Sequence, residues 1–187
     1  GNVASYIGIF NHLRACFAQE SGQPEGLFSY NSEGACPKCS GRGYLSYEMS
    51  FLDAVKTKCD ECEGKRYNKK ALSYTLRGKN IAEVLDMTVL EAIQFFSADK
   101  KIAGLLSLLD KVGLGYLKLG QTLSNLSGGE SQRLKIAKEL RKKGNIYIMD
   151  EPTTGLHMSD VGNFIKIVDE LVDAGNTVVI IEHNLDV

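Results

Sequence analysis

Four cysteines fall in two pairs, Cys36-x2-Cys39 and Cys59-x2-Cys62, with residues 40–58 between them. One CxxC turn presents two thiolates to a cation, and two such turns complete the tetrahedron that holds Zn2+. Gly41, Gly43 and Gly64 follow the pairs, where backbone wrapping a metal leaves little room for side chains. Four thiolates leave no open coordination position, so one structural Zn2+ per chain is expected. The competing reading is a pair of redox motifs or buried free thiols. Cys16, alone at an apolar helical position, reads as a small buried hydrophobe.

A second group is Ser127-Gly128-Gly129, directly in front of a helical pattern carrying Leu134, Ala137 and Leu140. A helix N-terminus has unpaired N–H groups and about half a positive charge, which attract phosphate. The glycines let backbone close on an anion, and the serine hydroxyl adds a donor. The competing reading is an ordinary loop with an N-capping serine. Further on, the apolar run "IYIMDE" ends in Asp150-Glu151, then come a turn at Gly155-Leu156-His157, the run "TVVIIE" and His183. An acid at a strand end can hold Mg2+, and a second beside it can polarise a water.

A third group is basic: Lys56, Lys58, Lys65, Arg66, Lys69 and Lys70, continued by Arg77 and Lys79. Only Asp60, Glu61 and Glu63 oppose it, and Tyr44, Tyr47, Phe51 and Tyr67 are interleaved. That pattern suits the phosphate backbone of DNA, or is a solvated lysine face. Formal net charge over 187 residues is −1, so bulk basicity contributes nothing and a local patch must act.

The elements that must position these groups follow from periodicity. Apolar residues at 6, 9, 10, 13 and 17 predict a helix over residues 4–18, weakened by Gly8. Residues 20–34 are turn-rich and predict a linker. The cysteine region has few large apolar residues, one strand-like run in "YLSYEMSF", and a core too small to stand without a staple. Thr88 and Glu91 fit a capping box ahead of a Val89, Ala92, Ile93, Phe96 stripe. Ile102, Leu105, Leu106 and Leu109 form another stripe, ended by Gly113 and Gly115. "IYIMDE" and "TVVIIE" read as buried strands around an amphipathic helix carrying Val161, Phe164, Ile165, Val168 and Leu171. Strand–helix–strand of this kind predicts an α/β fold with a parallel sheet covered by helices.

No apolar run approaches a membrane span, and no secretory pattern opens the chain. The odd cysteine count then points to a reducing, cytoplasmic compartment. Both ends read as cut, with Gly1 a cloning scar, so a fragment of a longer protein is expected.

"LSGGESQR", "IYIMDEPTTGLH" and "VVIIEH" resemble the signature motif, Walker B with D-loop, and switch histidine of ABC-type ATPases. "KRYNKKAL", "GKNIAEVLDMTVLEA" and "GLGYLKLGQ", with the CxxC pairs upstream, are similar to the C-terminal half of the UvrA family, the DNA-damage-recognising ATPases of bacterial nucleotide excision repair. The resemblance spans essentially the whole chain. It implies an ABC-type ATPase half, with an N-terminal helical segment and linker (1–30), an inserted zinc module (31–75), a helical signature subdomain (76–125) and core motifs (126–187). It further implies that Ser127, Gly128 and Gly129 contact the γ-phosphate of ATP, with Gln132 in the same motif. Asp150 would support Mg2+, Glu151 would activate the attacking water, and His183 would sense the γ-phosphate. The implied partners are DNA along the zinc module, a homodimer, and a UvrB-like subunit.

No G-x-x-x-x-G-K-[ST] occurs. In the family pattern the Walker A and glutamine loops precede these residues, so no ATP hydrolysis is expected from this stretch alone. Pro37-Lys38 inside the first CxxC, Arg42, and the basic "LDAVKTK" depart from the usual family wording. They hint at a divergent paralogue of the kind linked to resistance against DNA-binding drugs. Two further readings remain: a zinc-stapled module like DnaJ, for which four CxxCxGxG repeats are usual and here there are two, the second reading "CDECEGKR", and a transporter ATPase subunit, which should lack the zinc insertion.

Overall fold

The computed structural model describes residues 1–49, 52–140, 144–154 and 158–183. Phe51 and the Gly155-Leu156-His157 turn lie outside the described residues. The apolar stripe over 4–18 forms two helices, not one: α1 (Val3–Tyr6) and α2 (Phe10–Ser21). Gly8, at φ +85°, breaks the run by entering a left-handed conformation open to glycine. The chain divides into two compact units at this point and again after Asp86.

The unit Gly8–Asp86 is built on aromatic packing. Residues expected to be a linker instead enter its core. A 3-10 turn at Glu25–Phe28 buries Leu27 and Phe28, and Tyr30 is buried just after it. Phe17 meets Phe28, and Phe10 meets Tyr30, each with ring centroids 5.2 Å apart; Tyr67 stands edge-on to Tyr30 at 5.8 Å. Turn residues alone made this segment look like a connector, and its three large apolar groups decide otherwise. Cys16, on the flank of α2, is half-buried.

From this aromatic base rises an antiparallel hairpin, β1 (Tyr44–Met49) and β2 (Leu52–Lys58), with a register irregularity between Tyr47 and Met49. Next come α3 (Lys69–Leu72), a two-residue hairpin of β3 (Thr75–Leu76) and β4 (Lys79–Asn80), and α4 (Ile81–Asp86). Arg77 and Gly78 both have positive φ between β3 and β4, the conformation a tight hairpin of this length demands.

The other unit joins Gly1–Ile7 to the chain from Met87 onward. Val3 and Ala4 donate to the carbonyls of Gln121 and Leu119, stitching α1 in place. Thr88 and Glu91 close the expected capping box on α5 (Val89–Phe95). Asp99 caps α6 (Lys100–Lys111), whose Ile102, Leu106 and Leu109 are buried. A 3-10 turn at Leu123–Asn125 leads to α7 (Gly128–Glu139).

Strand β5 (Ile146–Asp150), helix α8 (Met158–Asp173) and strand β6 (Thr177–Ile181) complete the expected βαβ pattern. The strands pair in parallel, with Asp150 opposite Ile181. Helix α8 buries Val161, Phe164, Ile167 and Leu171. The buried Asn176 carboxamide accepts from Asn145 N–H and donates to Leu171 C=O, tying the end of α8 to the start of the sheet. The expectation of buried strands fails on one face. Ile146 and Ile148 are 71% and 73% exposed, and Val179 and Ile181 also face outward. Among the described residues only one side of this ribbon is covered, so alternate apolar side chains stay open.

Candidate functional site

Parallel pairing brings the C-terminal ends of β5 and β6 side by side, and with them the carboxylate and imidazole that the sequence leaves far apart. Glu151 Oε1 lies 3.6 Å from His183 Nε2, and both side chains are exposed. Glu151 adopts φ +46°, an unusual left-handed conformation for a carboxylate residue. Its N–H donates to Ile181 C=O at 2.8 Å, its C=O accepts from Thr154 N–H at 3.1 Å, and Oε2 accepts from the Thr154 hydroxyl at 3.2 Å. Asp150, one residue earlier, is exposed at the strand end, where its carboxylate is free to meet a hard cation such as Mg2+.

The serine-glycine turn opens α7. Ser127 is its N-cap, accepting from Glu130 N–H, while the Glu130 carboxylate accepts from Ser127 N–H at 2.7 Å. The capping-serine and anion-site readings are therefore not exclusive: Ser127 Oγ accepts inward and still carries a proton to donate. The two glycines differ. A Cβ on Gly128 would meet no atom within 4 Å, whereas one on Gly129 would lie 2.5 Å from the Thr154 carbonyl oxygen. Gly128 keeps the approach open, and Gly129 lets the helix end touch the turn after β5. Gln132 is not aimed at the opening; its amide donates to the Asp150 carbonyl at 2.5 Å.

The four cysteines converge. Their sulfurs all lie within 4.8 Å of one another and all four residues are buried, with Leu45 packed against them. Cys39 Sγ and Cys62 Sγ are 3.7 Å apart. A tetrahedron with Zn–S of about 2.3 Å has edges of about 3.8 Å, so the donor set fits Zn2+. Gly43 N–H donates to Cys39 Sγ at 3.2 Å. Burial resists ionisation at Cys39, but that N–H and the neighbouring thiols outweigh it and lower its pKa. Burial dominates at Cys62 and pushes its thiol up to about 12. Lys38 and Asp60, one inside each CxxC, pair at 2.7 Å and tie the two turns together.

The basic residues do not act alike. Lys56 and Lys58 share one face of the hairpin, opposite Ser46 and Tyr44, and the Lys56 ammonium lies 5.1 Å from the Tyr44 ring centre. Lys69 and Lys70 are exposed at the start of α3, and Lys65 is exposed near Glu63 at 3.6 Å. Arg66 turns inward. Its guanidinium lies 3.5 Å from the centre of the Tyr30 ring, Nε donates to Gly41 C=O at 2.7 Å, and its φ is +73°.

The family profile described as "ABC transporter" matches residues 50–154. The chain belongs to the ABC transporter family. Along its full length it is 51% identical to UvrABC system protein A of Lactiplantibacillus plantarum, 50% to that of Methanothermobacter thermautotrophicus, and 51% to that of Thermus thermophilus. It spans about a fifth of those relatives' length. The crystal structure of UvrA2 from Deinococcus radiodurans superposes with a TM-score of 0.89 at 46% identity, over 98% of this chain and 24% of that one.

Several residues of this ABC chain shape the motifs without an obvious mark in the sequence. Glu182 accepts from the N–H and hydroxyl of Thr153 and from His183 N–H, clamping the turn after β5 to the end of β6. Arg133 is 2% exposed beneath the signature turn, with Nη1 3.5 Å from Pro152 C=O and Nε buried without a hydrogen-bond partner among the described residues. Tyr116 donates to Glu130 Oε1 at 2.5 Å. Only the adjacency of Glu182 to a histidine after a strand, and of Arg133 to the glycine turn, marks them in the sequence.

Proposed function

We propose that this chain is the signature, Walker B and zinc-module portion of a UvrA-type, DNA-binding ABC ATPase acting in nucleotide excision repair. The observation that carries the reading is the meeting of Glu151 with His183 at the paired strand ends, in a chain that also gathers four cysteines about one point. Glu151 orients and deprotonates the water that attacks the γ-phosphate, and His183, 3.6 Å from that carboxylate, stands beside it to contact the phosphate. Asp150 would hold Mg2+, whose chemistry there would be electrostatic screening of the phosphate oxygens. Ser127, Gly128 and Gly129 offer a hydroxyl and two free amides to the γ-phosphate of a nucleotide cradled by another ATPase domain. Gln132 acts indirectly, fixing the Asp150 backbone. The absence of a G-x-x-x-x-G-K-[ST] segment means this stretch does not hydrolyse ATP by itself.

Cys36, Cys39, Cys59 and Cys62 hold one Zn2+, which staples a hairpin lacking an apolar core of its own. The hairpin then carries Lys56 and Lys58, with Lys65, Lys69 and Lys70 nearby, to the phosphates of DNA. Arg66 serves the same surface as a rivet between the cysteine turns and Tyr30. In the cytoplasm the whole protein pairs ATPase domains as a homodimer and docks a UvrB-like subunit.

Affinity for duplex DNA measured against salt tests this reading. A steep negative slope of log K on log salt is expected. Flat or absent binding by folded, zinc-loaded protein sinks it in favour of a polypeptide-binding or transport role. Failure to bind a UvrB-like subunit alone would point to the paralogue linked to drug resistance.

A further inference from the structure

The signature turn is held from outside by a tyrosine. Tyr116 lies in the loop after α6, and it is 55% exposed. That loop is itself fixed: Val89 and Leu90 donate to the carbonyls of Leu117 and Gly115 at 2.8 and 3.0 Å. A Cβ on Gly115 would lie 2.5 Å from Asp110 Oδ1, so the loop closes tightly before presenting Tyr116. The phenol donates to Oε1 of Glu130, leaving Oε2 for Ser127 N–H at 2.7 Å. Each oxygen of this carboxylate thus has one committed donor.

Glu130 poses a problem for a phosphate site. It carries negative charge at the third position of a helix whose first amides should greet an anionic phosphate group. An unconstrained carboxylate there could swing toward the opening and repel the phosphate. Two features prevent that. Tyr116 ties one oxygen sideways, and Ser127 N–H holds the other in the cap. Burial favours the neutral acid, but the Tyr116 and Ser127 hydrogen bonds and the Arg133 charge outweigh it and hold the Glu130 pKa below its usual value. The carboxylate therefore stays ionised and stays in the cap.

We infer that Tyr116 is a positioning residue for γ-phosphate recognition, locking Glu130 into the α7 cap so that the Ser127 hydroxyl and the Gly128 and Gly129 amides face the nucleotide. This rests on the nucleotide reading above and assigns Tyr116 no contact with ATP.

The test uses the full-length protein. Tyr116→Phe removes one oxygen from an exposed ring, so the fold should survive. Its kcat/KM for ATP should fall about ten-fold, the worth of one hydrogen bond to a charged acceptor. Inhibition by ADP, which has no γ-phosphate, should be unchanged; a merely structural loss would weaken ADP as well. In a Glu130→Gln background the same Tyr116→Phe change should cost less than two-fold, since no charge remains to restrain. Unaltered ATP kinetics for Tyr116→Phe, or an equal ten-fold loss in the Glu130→Gln background, overturns the inference while leaving the nucleotide reading intact. Full activity in Glu151→Gln overturns both.

Discussion

Glu151 Oε1 stands 3.6 Å from Nε2 of His183, a meeting produced by nothing more than parallel register. Asp150 pairs with Ile181, so the residues that follow each strand leave the sheet together. In the full-length protein, Glu151→Gln should lower kcat by about 100-fold or more, the typical share of a positioned base, while ATP still binds. His183→Ala should lose less. Equal turnover for parent and Glu151→Gln would remove the carboxylate from the mechanism.

The cysteine cluster predicts about one zinc per chain. Cys59→Ser should abolish stoichiometric zinc and unfold the hairpin, leaving the βαβ part folded by circular dichroism. Structural zinc of this kind is worth on the order of 10–16 kcal/mol, far beyond what Leu45 alone supplies. Retained zinc in that variant would contradict the site.

The paired glycines should separate cleanly in thermal melts. Gly129→Ala forces a methyl against the Thr154 carbonyl and should cost about 1–3 kcal/mol. Gly128→Ala meets open space and should be neutral or stabilising by up to about 1 kcal/mol. Similar melting temperatures for the two variants would deny the close approach.

Arg66 and the exposed lysines should fail differently. Arg66→Lys loses the stack on Tyr30 and the bond to Gly41, so stability should drop by about 1–2 kcal/mol. Lys56→Gln or Lys58→Gln should leave stability alone and reduce the DNA salt slope by about 1 each. The reverse pattern would exchange their roles.

Glu130 gives a pH signature. Its folded pKa lies below its ordinary value of 4.5. Its stabilisation of the α7 cap is therefore complete above about pH 4.5 and is lost as pH falls through the lower folded value. The stability difference between parent and Glu130→Gln should shrink on acidification across that window. A constant difference from pH 7 to pH 3 would mean the cap does not depend on charge.

Local chemistry was well legible in the sequence. CxxC spacing led to the four-cysteine cluster, and the Thr88–Glu91 box and the strand–helix–strand pattern are present as expected. What escaped were effects of tertiary partners. Leu27, Phe28 and Tyr30 sit among turn residues, and only α2 shows why they are buried. Arg66 counts as one more cation until Tyr30 is found beneath it. Ile146 and Ile148 look like core because apolarity cannot tell which face of a strand has a cover.

That bare face has a practical outcome. Four β-branched side chains on an uncovered ribbon offer a ready surface for another molecule to stick to. Handled alone at high concentration, this polypeptide should precipitate or form soluble clusters, and light scattering that rises with ionic strength would trace the clumping to these three isoleucines and Val179. Swapping Ile146 and Ile148 for threonine would be the first remedy to try at the bench.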